Sequence, residues 1–165
     1  MAQKSMPITS ISSQKTRKPV RGRSERGNAL LEFALGFSFF WMLFSGVYQI
    51  GYAYYIYDRL AVATANAAEL GSRLNYDMSN PSAFSTTLKN MVLYGSETAG
   101  TYPVVPGLTT ANVAVDAHAD GNGVPRYVTV GITGYTINAL FKSFTLPNKP
   151  GATGLYFGQV NCSAC

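Results

Sequence analysis

The sequence contains few of the residues on which most catalytic and metal sites depend. Only one histidine and two cysteines occur in 165 residues, which argues against histidine-rich metal sites and most histidine-based catalysis. Two cysteines are also too few for a disulfide-dense mini-protein. Glycine and proline, at 16 and 8 residues, are near their ordinary usage, so collagen-like and low-complexity chains are excluded. The length and the 47% of hydrophobic residues instead suit one modest domain.

Acidic residues are nearly missing from the start of the chain. Residues 1–27 contain seven Lys or Arg and one Glu, a net charge of +6, whereas the other 138 residues contain six basic and seven acidic groups and sum to −1. The pI of about 9.3 therefore comes from this segment, and it does not indicate nucleic-acid binding, which needs a basic face on a folded domain. Large apolar side chains are also scarce here, so we expect a disordered basic tail.

Charge is absent from residues 33–57. These 25 residues are long and apolar enough for one transmembrane helix, with expected bounds 28–57. Amphipathic aromatic rings favour the membrane–water interface, and five tyrosines gather at the far end of the run: Tyr48, Tyr52, Tyr54, Tyr55 and Tyr57. Because basic flanks stay in the cytoplasm, the pattern predicts a single pass through the lipid bilayer with the N-terminus inside and the C-terminal part outside.

Two targeting segments are alternatives to this anchor. A secretory signal peptide has an apolar core of about 7–15 residues, and the run here is longer. A mitochondrial transit peptide is also rich in Arg and Ser and poor in acids. However, the apolar residues of the tail are too sparse for an amphipathic helix, and Pro7 and Pro19 interrupt it. Both alternatives are therefore less well supported than a membrane anchor.

One ionisable residue, Glu32, lies inside the start of the apolar helix. Such a side chain costs several kcal/mol within a bilayer unless it is paired, so it is a functional candidate. It could lie among the headgroups or extend towards Arg26. Cleavage between Gly27 and Asn28 would supply another partner, because the new amino group on Asn28 would lie one helical turn from Glu32. In an oligomer the same amine could pair with the carboxylate of a neighbouring subunit.

A short basic leader ending in Gly27, a Glu at the fifth position after it and an apolar helix together resemble the class III signal of type IV pilins. More narrowly, the segment from Arg26 to Leu35, RGNALLEFAL, resembles the "RGxxxVEFAL" opening of TadE-like proteins. These are pseudopilins or minor pilins of the tight-adherence (Flp) pilus system. Residues 65–72 resemble the small-residue stretch of that family, and residues 104–113 its middle region. The resemblance is good over residues 26–75 and loose elsewhere.

The resemblance implies a processed structural subunit. A membrane prepilin peptidase would cut between Gly27 and Asn28, and the Glu32 carboxylate would act in processing and assembly. Expected partners are that peptidase, other pilin subunits and the assembly platform of the bacterial inner membrane, with the C-terminal domain in the periplasm. The chain would be a substrate and not an enzyme. The alternative is a signal-anchored periplasmic binding or adhesion module that never enters a filament.

The helical period persists beyond the apolar run, to about residue 74. Apolar and small side chains recur there at spacings of three and four: Leu60, Ala63, Ala67, Leu70 and Leu74. This face suits either packing on the helix's own domain or a seam between subunits. A second, shorter helix is predicted between Asn80 as N-cap, with Pro81 in the first turn, and Gly95 as its stop.

The rest of the chain alternates apolar and polar residues as strands do. This alternation covers residues 112–119 and 126–137, and the turn signal Asp120-Gly121-Asn122-Gly123 lies between them, so we predict a β-hairpin. Residues 155–160 suggest a third strand, after a loop over residues 147–154.

The expected fold class is α+β. A long N-terminal helix, transmembrane in its N-terminal half, would pack on a small antiparallel sheet beside a second short helix. Residues 58–76 would continue the helix outside the membrane, and residues 77–165 would form the periplasmic α+β domain.

A calcium loop is one further chemistry that the sequence invites. Asp116, His118 and Asp120 alternate along one strand face, as oxygen ligands do in such loops. The loop would need a Glu where Tyr127 stands, and His is a poor calcium ligand, so we interpret the segment as a strand end and a turn. Phosphate-binding loops, zinc-protease motifs and nucleophile elbows do not occur in the sequence, and neither a metal nor a cofactor is expected.

The last four residues contain a Cys-x-x-Cys pair, Cys162 and Cys165. Redox pairs of this kind usually open a helix, whose dipole lowers the thiol pKa, and a chain end offers no such helix. A structural disulfide in an oxidising periplasm is the preferred interpretation. Metal binding by two thiols without companions is weaker.

Overall fold

The computed structural model describes residues 23–139 and 141–161, and within them the chain has the expected α+β fold. Helix α1 is Arg23–Arg73 and helix α2 is Pro81–Tyr94, and one turn of 3-10 helix covers Thr110–Asn112. The described strands, in chain order, are β1 Tyr76–Asp77, β2 Val113–Ala119, β3 Pro125–Ile132, β4 Tyr135–Asn138, β5 Ser143–Leu146, β6 Gly151–Leu155 and β7 Val160–Asn161.

Helix α1 begins at Arg23, earlier than the expected start at Asn28. The prediction of a disordered tail is thus wrong for residues 23–27, and residues 1–22 lie outside the described part. The physical reason is local: the last proline upstream is Pro19, and Arg and Glu are good helix formers. The helix ends at Arg73, one residue before the predicted end.

The second helix confirms the sequence signals at both of its ends. The Asn80 side chain accepts a hydrogen bond from the Ala83 N–H at 3.3 Å, with Pro81 as the first helical residue. At the other end, Gly95 adopts a left-handed conformation with φ of 70°, and its N–H donates to Met91 O. Helix α2 buries four apolar side chains on one face: Phe84, Leu88, Val92 and Leu93.

The predicted hairpin is present as β2 and β3, which pair antiparallel from Val113 opposite Ile132. Its turn is closed by the Asp120 carboxylate, which accepts hydrogen bonds from the Asn122 and Val124 N–H groups at 2.9 and 3.0 Å. The predicted second strand over 126–137 is too long, because the chain leaves the sheet at Gly134, where φ is 65°.

The remaining strands differ from the prediction. Beyond Gly134, β4 pairs with β5 as a separate antiparallel hairpin. The third strand of the main sheet is β6, which pairs antiparallel with β3; its first four residues lie in the segment predicted to be a loop, and its last, Leu155, is the first residue of the predicted strand. The predicted strand over residues 155–160 is therefore wrong as one element, because residues 156–159 are not in a strand. Its last residue, Val160, belongs to β7, which pairs parallel with β1.

The chain divides into two compact units, and the boundary falls within α1, between Trp41 and Met42. The hydrophobic core lies in the second unit. It combines the C-terminal part of α1, the apolar face of α2 and one face of the sheets. In α1 the predicted apolar face joins this core: Leu60, Ala63 and Ala67 are buried, and Leu70 and Leu74 pack at its edge. Of the two alternatives for this face, packing on the helix's own domain is what the structure shows.

Small residues bring the backbone of this part of α1 close to its neighbours. A Cβ atom at Gly71 would lie 3.0 Å from Leu88 Cδ1 and 3.3 Å from Val128 Cγ1. A Cβ atom at Gly154, in β6, would lie only 2.6 Å from Ala68 O of the helix. Glycine at both positions therefore permits contacts between helix and sheet that a side chain would obstruct.

Candidate membrane anchor and processing site

The apolar part of α1 is the one helix among the described residues that is long and apolar enough to cross a membrane. Its most apolar window has only 6% of its residues buried. Large side chains point outward on all sides of the helix in the first unit: Leu30, Leu31, Phe33, Leu35, Phe37, Phe39, Phe40 and Trp41. A helix that is apolar all round requires a nonpolar environment, and a single-pass membrane anchor provides one.

Aromatic rings form a ladder along this exposed helix. The Phe33 and Phe37 ring centroids lie 6.0 Å apart, and those of Phe37 and Trp41 lie 6.2 Å apart, both pairs being stacked at four-residue spacing. Further along, Tyr48 and Tyr52 repeat the arrangement at 6.4 Å. Arg59 lies 5.6 Å from the Tyr55 ring, so the first cation after the apolar run sits over the tyrosine cluster.

The predicted cleavage residues lie on the exposed surface of the helix. Gly27, Asn28 and Glu32 are all exposed, and a Cβ atom built at Gly27 would meet no atom within 4 Å. No hydrogen bond or ion pair reaches Glu32 from the described side chains. The Arg26 side chain is outside that set, so the suggested contact between Arg26 and Glu32 stays a prediction. Glu32 lies on the exposed surface of α1, four residues and about one helical turn after Asn28.

The domain covers one face of α1 well before the apolar run ends. Ser45 and Ile56 are buried, and Tyr52 and Ala53 pack against the core. Between them, the Gln49 Oε1 atom accepts a hydrogen bond from the Phe141 N–H at 3.2 Å. Sequence reasoning missed this contact, although Gln49 is the single amide between residues 33 and 57 and is therefore a polar group that needs a partner.

The candidate calcium ligands do not converge. His118 Nε2 lies 3.3 Å from Asp116 Oδ2, and the His118 ring stacks on Tyr127 with centroids 4.2 Å apart. The Asp120 carboxylate instead closes the turn of the hairpin. No group of three or more His, Cys, Asp or Glu side chains that could hold a metal forms within the described residues. The interpretation as a strand end and a turn is confirmed by the end of β2 at Ala119 and by the Asp120 hydrogen bonds that follow it.

Two tyrosine hydroxyls, that of the buried Tyr135 and that of the half-buried Tyr156, have structural hydrogen-bond partners. Tyr135 donates to Pro106 O at 2.8 Å, and burial raises the pKa of its hydroxyl above the usual value. The Tyr156 hydroxyl lies 2.9 Å from Leu74 O and 2.8 Å from Gln159 O, and partial burial raises its pKa above the usual value. These tyrosines tie the end of α1 and the loops to the sheets.

Cys162 and Cys165, the predicted disulfide, lie outside the described residues.

In comparisons with known proteins, no family model, no curated protein and no solved structure matches the chain.

Proposed function

We propose that this chain is a membrane-anchored minor pilin or pseudopilin that acts in the assembly of a tight-adherence type IV pilus. The observation that carries the proposal is the arrangement at the start of the exposed apolar helix, where Gly27, Asn28 and Glu32 follow a basic tail and lie open on the surface. A prepilin peptidase on the cytoplasmic side would cut after Gly27. The remaining chain would keep its anchor and its folded domain, because among the described residues the buried hydrophobic cluster begins at Ile56, well after the cut.

The chemistry of the cut explains the position of Glu32. Cleavage creates an α-amino group on Asn28, and this cation lies one helical turn from the carboxylate of the same chain or near that of a neighbouring subunit. Pairing would neutralise a charge that is costly within the bilayer. The exposed leucine and phenylalanine side chains of the same helix would then exchange lipid contacts for contacts with other subunits during assembly.

A second candidate is a periplasmic binding or adhesion module anchored by the same helix. Two exposed aromatic side chains of the domain favour it: Tyr102 is 83% exposed and Phe157 79%. Exposed aromatic rings are common anchors in binding surfaces. Such a module would need the anchor but not the cut after Gly27, so processing separates the two functions.

The substitution Gly27→Val tests the proposal in a bacterium that carries an active prepilin peptidase. A side chain at the cleaved bond should obstruct the peptidase, which must approach the backbone closely, so we expect an unprocessed, membrane-inserted precursor on a gel. Space around Gly27 is open, so the change does not disturb the chain's own packing. Gly36→Val is the matched control, since Gly36 also has no atom within 4 Å of a built Cβ, and it should be processed normally. Wild-type mobility of the Gly27→Val protein beside a peptidase-null strain would contradict the assigned cut.

A further inference from the structure

The hairpin β4–β5 contacts α1 at the level of the apolar run. Its tip meets the helix through the hydrogen bond from the Phe141 N–H to Gln49 Oε1, which links residues far apart in the chain. The two strands are held in register up to the pair Asn138 and Ser143, next to the tip. Thr136 and Thr145 also join their hydroxyls across the hairpin at 3.0 Å. The tip is therefore positioned by a paired ladder and by a specific contact with the helix.

The position of the Gln49 contact along α1 indicates how deep the hairpin tip would lie in a membrane. Gln49 precedes Tyr57, the last residue of the charge-free run, by about 12 Å along a helix that rises 1.5 Å per residue. The tyrosine cluster is the part of the helix that suits the membrane–water interface. The hairpin tip therefore contacts α1 near the N-terminal end of the tyrosine cluster. In a membrane this position would lie among the headgroups and the first acyl carbons.

The side chains at the tip suit such an environment. Phe141 is 69% exposed, and the next residue, Lys142, is exposed with its Nζ 6.0 Å from the Phe144 ring. An exposed aromatic ring beside a lysine is typical of interfacial membrane contacts, in which the ring enters the lipid and the cation stays with anionic headgroups. The Phe141 N–H already has its partner in Gln49, so this backbone group is not left unsatisfied in a nonpolar environment.

An apolar groove lies beside the tip, between the hairpin and the helix. It has a volume of about 320 Å³, and its lining is Ile50, Ala53, Tyr54, Tyr57 and Phe144. The four lining residues from α1 belong to the part of the charge-free run that the membrane anchor would place at the interface. A lipid acyl chain suits this position, because the lining of the groove is almost wholly apolar.

We propose that the tip of β4–β5 is a second membrane contact of this protein. Phe141 inserts at the boundary between headgroups and acyl chains, Lys142 binds anionic headgroups, and the groove takes up an acyl chain. The contact fixes the height and rotation of the domain above the membrane. It depends on insertion of α1 into the bilayer and holds whether or not the protein enters a filament.

Tryptophan fluorescence of the full chain in vesicles tests this contact. Trp41 is the single tryptophan; replacing it as Trp41→Phe allows a reporter to be placed by Phe141→Trp. Tyr102→Trp in the same background is the matched control, because Tyr102 is an exposed aromatic residue elsewhere in the domain. The vesicles contain phosphatidylethanolamine and phosphatidylglycerol, with acyl chains brominated either near the carbonyl end or near the methyl end.

We expect the reporter at position 141 to emit at shorter wavelength than the control and to lose more intensity to bromines near the carbonyl end than near the methyl end. The control should be quenched by acrylamide and by neither lipid. Acrylamide quenching of the reporter without lipid quenching would place it in water and overturn the proposal. Protection from acrylamide and from both brominated lipids would mean that protein covers the tip. Stronger quenching by bromines near the methyl end would place the reporter deeper than the proposed boundary. Either result also overturns the proposal.

Discussion

The two halves of α1 are both apolar, yet their surroundings are opposite. In the first unit, large side chains such as Leu35 and Phe39 are exposed, whereas in the second unit Ile56 and Leu60 are buried in the core. Hydrophobicity alone does not distinguish an anchor from a core helix, since both are rich in apolar residues. The size of the side chains does distinguish them here. Bulky rings dominate the exposed half, and alanine and glycine are frequent where the sheet packs on the helix.

The same leucine-to-alanine change in the two halves should have very different effects. Leu60 is fully buried, so Leu60→Ala should lower the free energy of unfolding of the domain by about 2–5 kcal/mol through lost burial and a residual cavity. Leu35 is 66% exposed, so Leu35→Ala should change the free energy of unfolding by no more than about 0.5 kcal/mol. Both can be measured by denaturant unfolding of the detergent-solubilised chain, followed by near-UV circular dichroism. Equal shifts for the two variants would contradict the division of the helix.

A smaller effect is expected where the sheet approaches the packed half of the helix. Gly154→Ala would place a Cβ atom 2.6 Å from Ala68 O, a backbone atom that cannot rotate away. Relieving this overlap requires strand and helix to separate, so we expect a loss of about 1–3 kcal/mol in the same unfolding measurement. Gly121→Ala, in the exposed hairpin turn, meets no atom within 4 Å and is the control. If Gly121→Ala costs as much as Gly154→Ala, the close packing of β6 on α1 is not what sets the effect.

The smallest of these effects on stability is expected from loss of the Ser79 hydroxyl, which donates a hydrogen bond to Asp77 just after the packed half of α1. The Asp77 Oδ1 accepts hydrogen bonds from the Ser79 hydroxyl at 2.5 Å and the Ser79 N–H at 2.9 Å, and these bonds hold the carboxyl pKa below its usual value. A lowered folded-state pKa contributes stability above the unfolded-state pKa, and that stability is lost as pH falls through the folded-state pKa. Ser79→Ala should raise the Asp77 pKa towards its usual value, and Ser79→Thr should preserve it. Carboxyl carbon NMR titration measures the Asp77 pKa in both variants, and an unchanged pKa in the alanine variant would exclude the Ser79 hydroxyl as the main cause of the lowered pKa.

Local signals account for what the sequence could predict. The Asn80 cap, Pro81 and Gly95 define α2, and the turn from Asp120 to Gly123 defines the hairpin, because each acts over a few residues. The strand β6 could not be predicted in the same way. Gly151 and Gly154 disfavour a strand locally, and at Gly154 the close approach of the α1 backbone explains why glycine occurs there.

The candidate site likewise has a part that local sequence indicates and a part that it does not. Gly27, Asn28 and Glu32 can be proposed from the sequence, because they lie where the basic tail meets the apolar helix in one continuous segment. The contact between Gln49 and Phe141 joins two distant segments, and no local pattern near Phe141 indicates it. A lone amide within an apolar run indicates only that a partner is needed, and the fold decides which backbone group supplies it.

The N-terminus of the protein extracted from native membranes tests the central claim most directly. Intact-mass spectrometry, with fragmentation to read the terminal residues, should find a chain that begins at Asn28 in a strain with an active prepilin peptidase. The first residues of α1, 23–27, would then be removed with the tail, and the amino group would lie one turn from Glu32. A chain that retains Met1 in that strain would contradict the pilin assignment and would leave the anchored binding module as the better account.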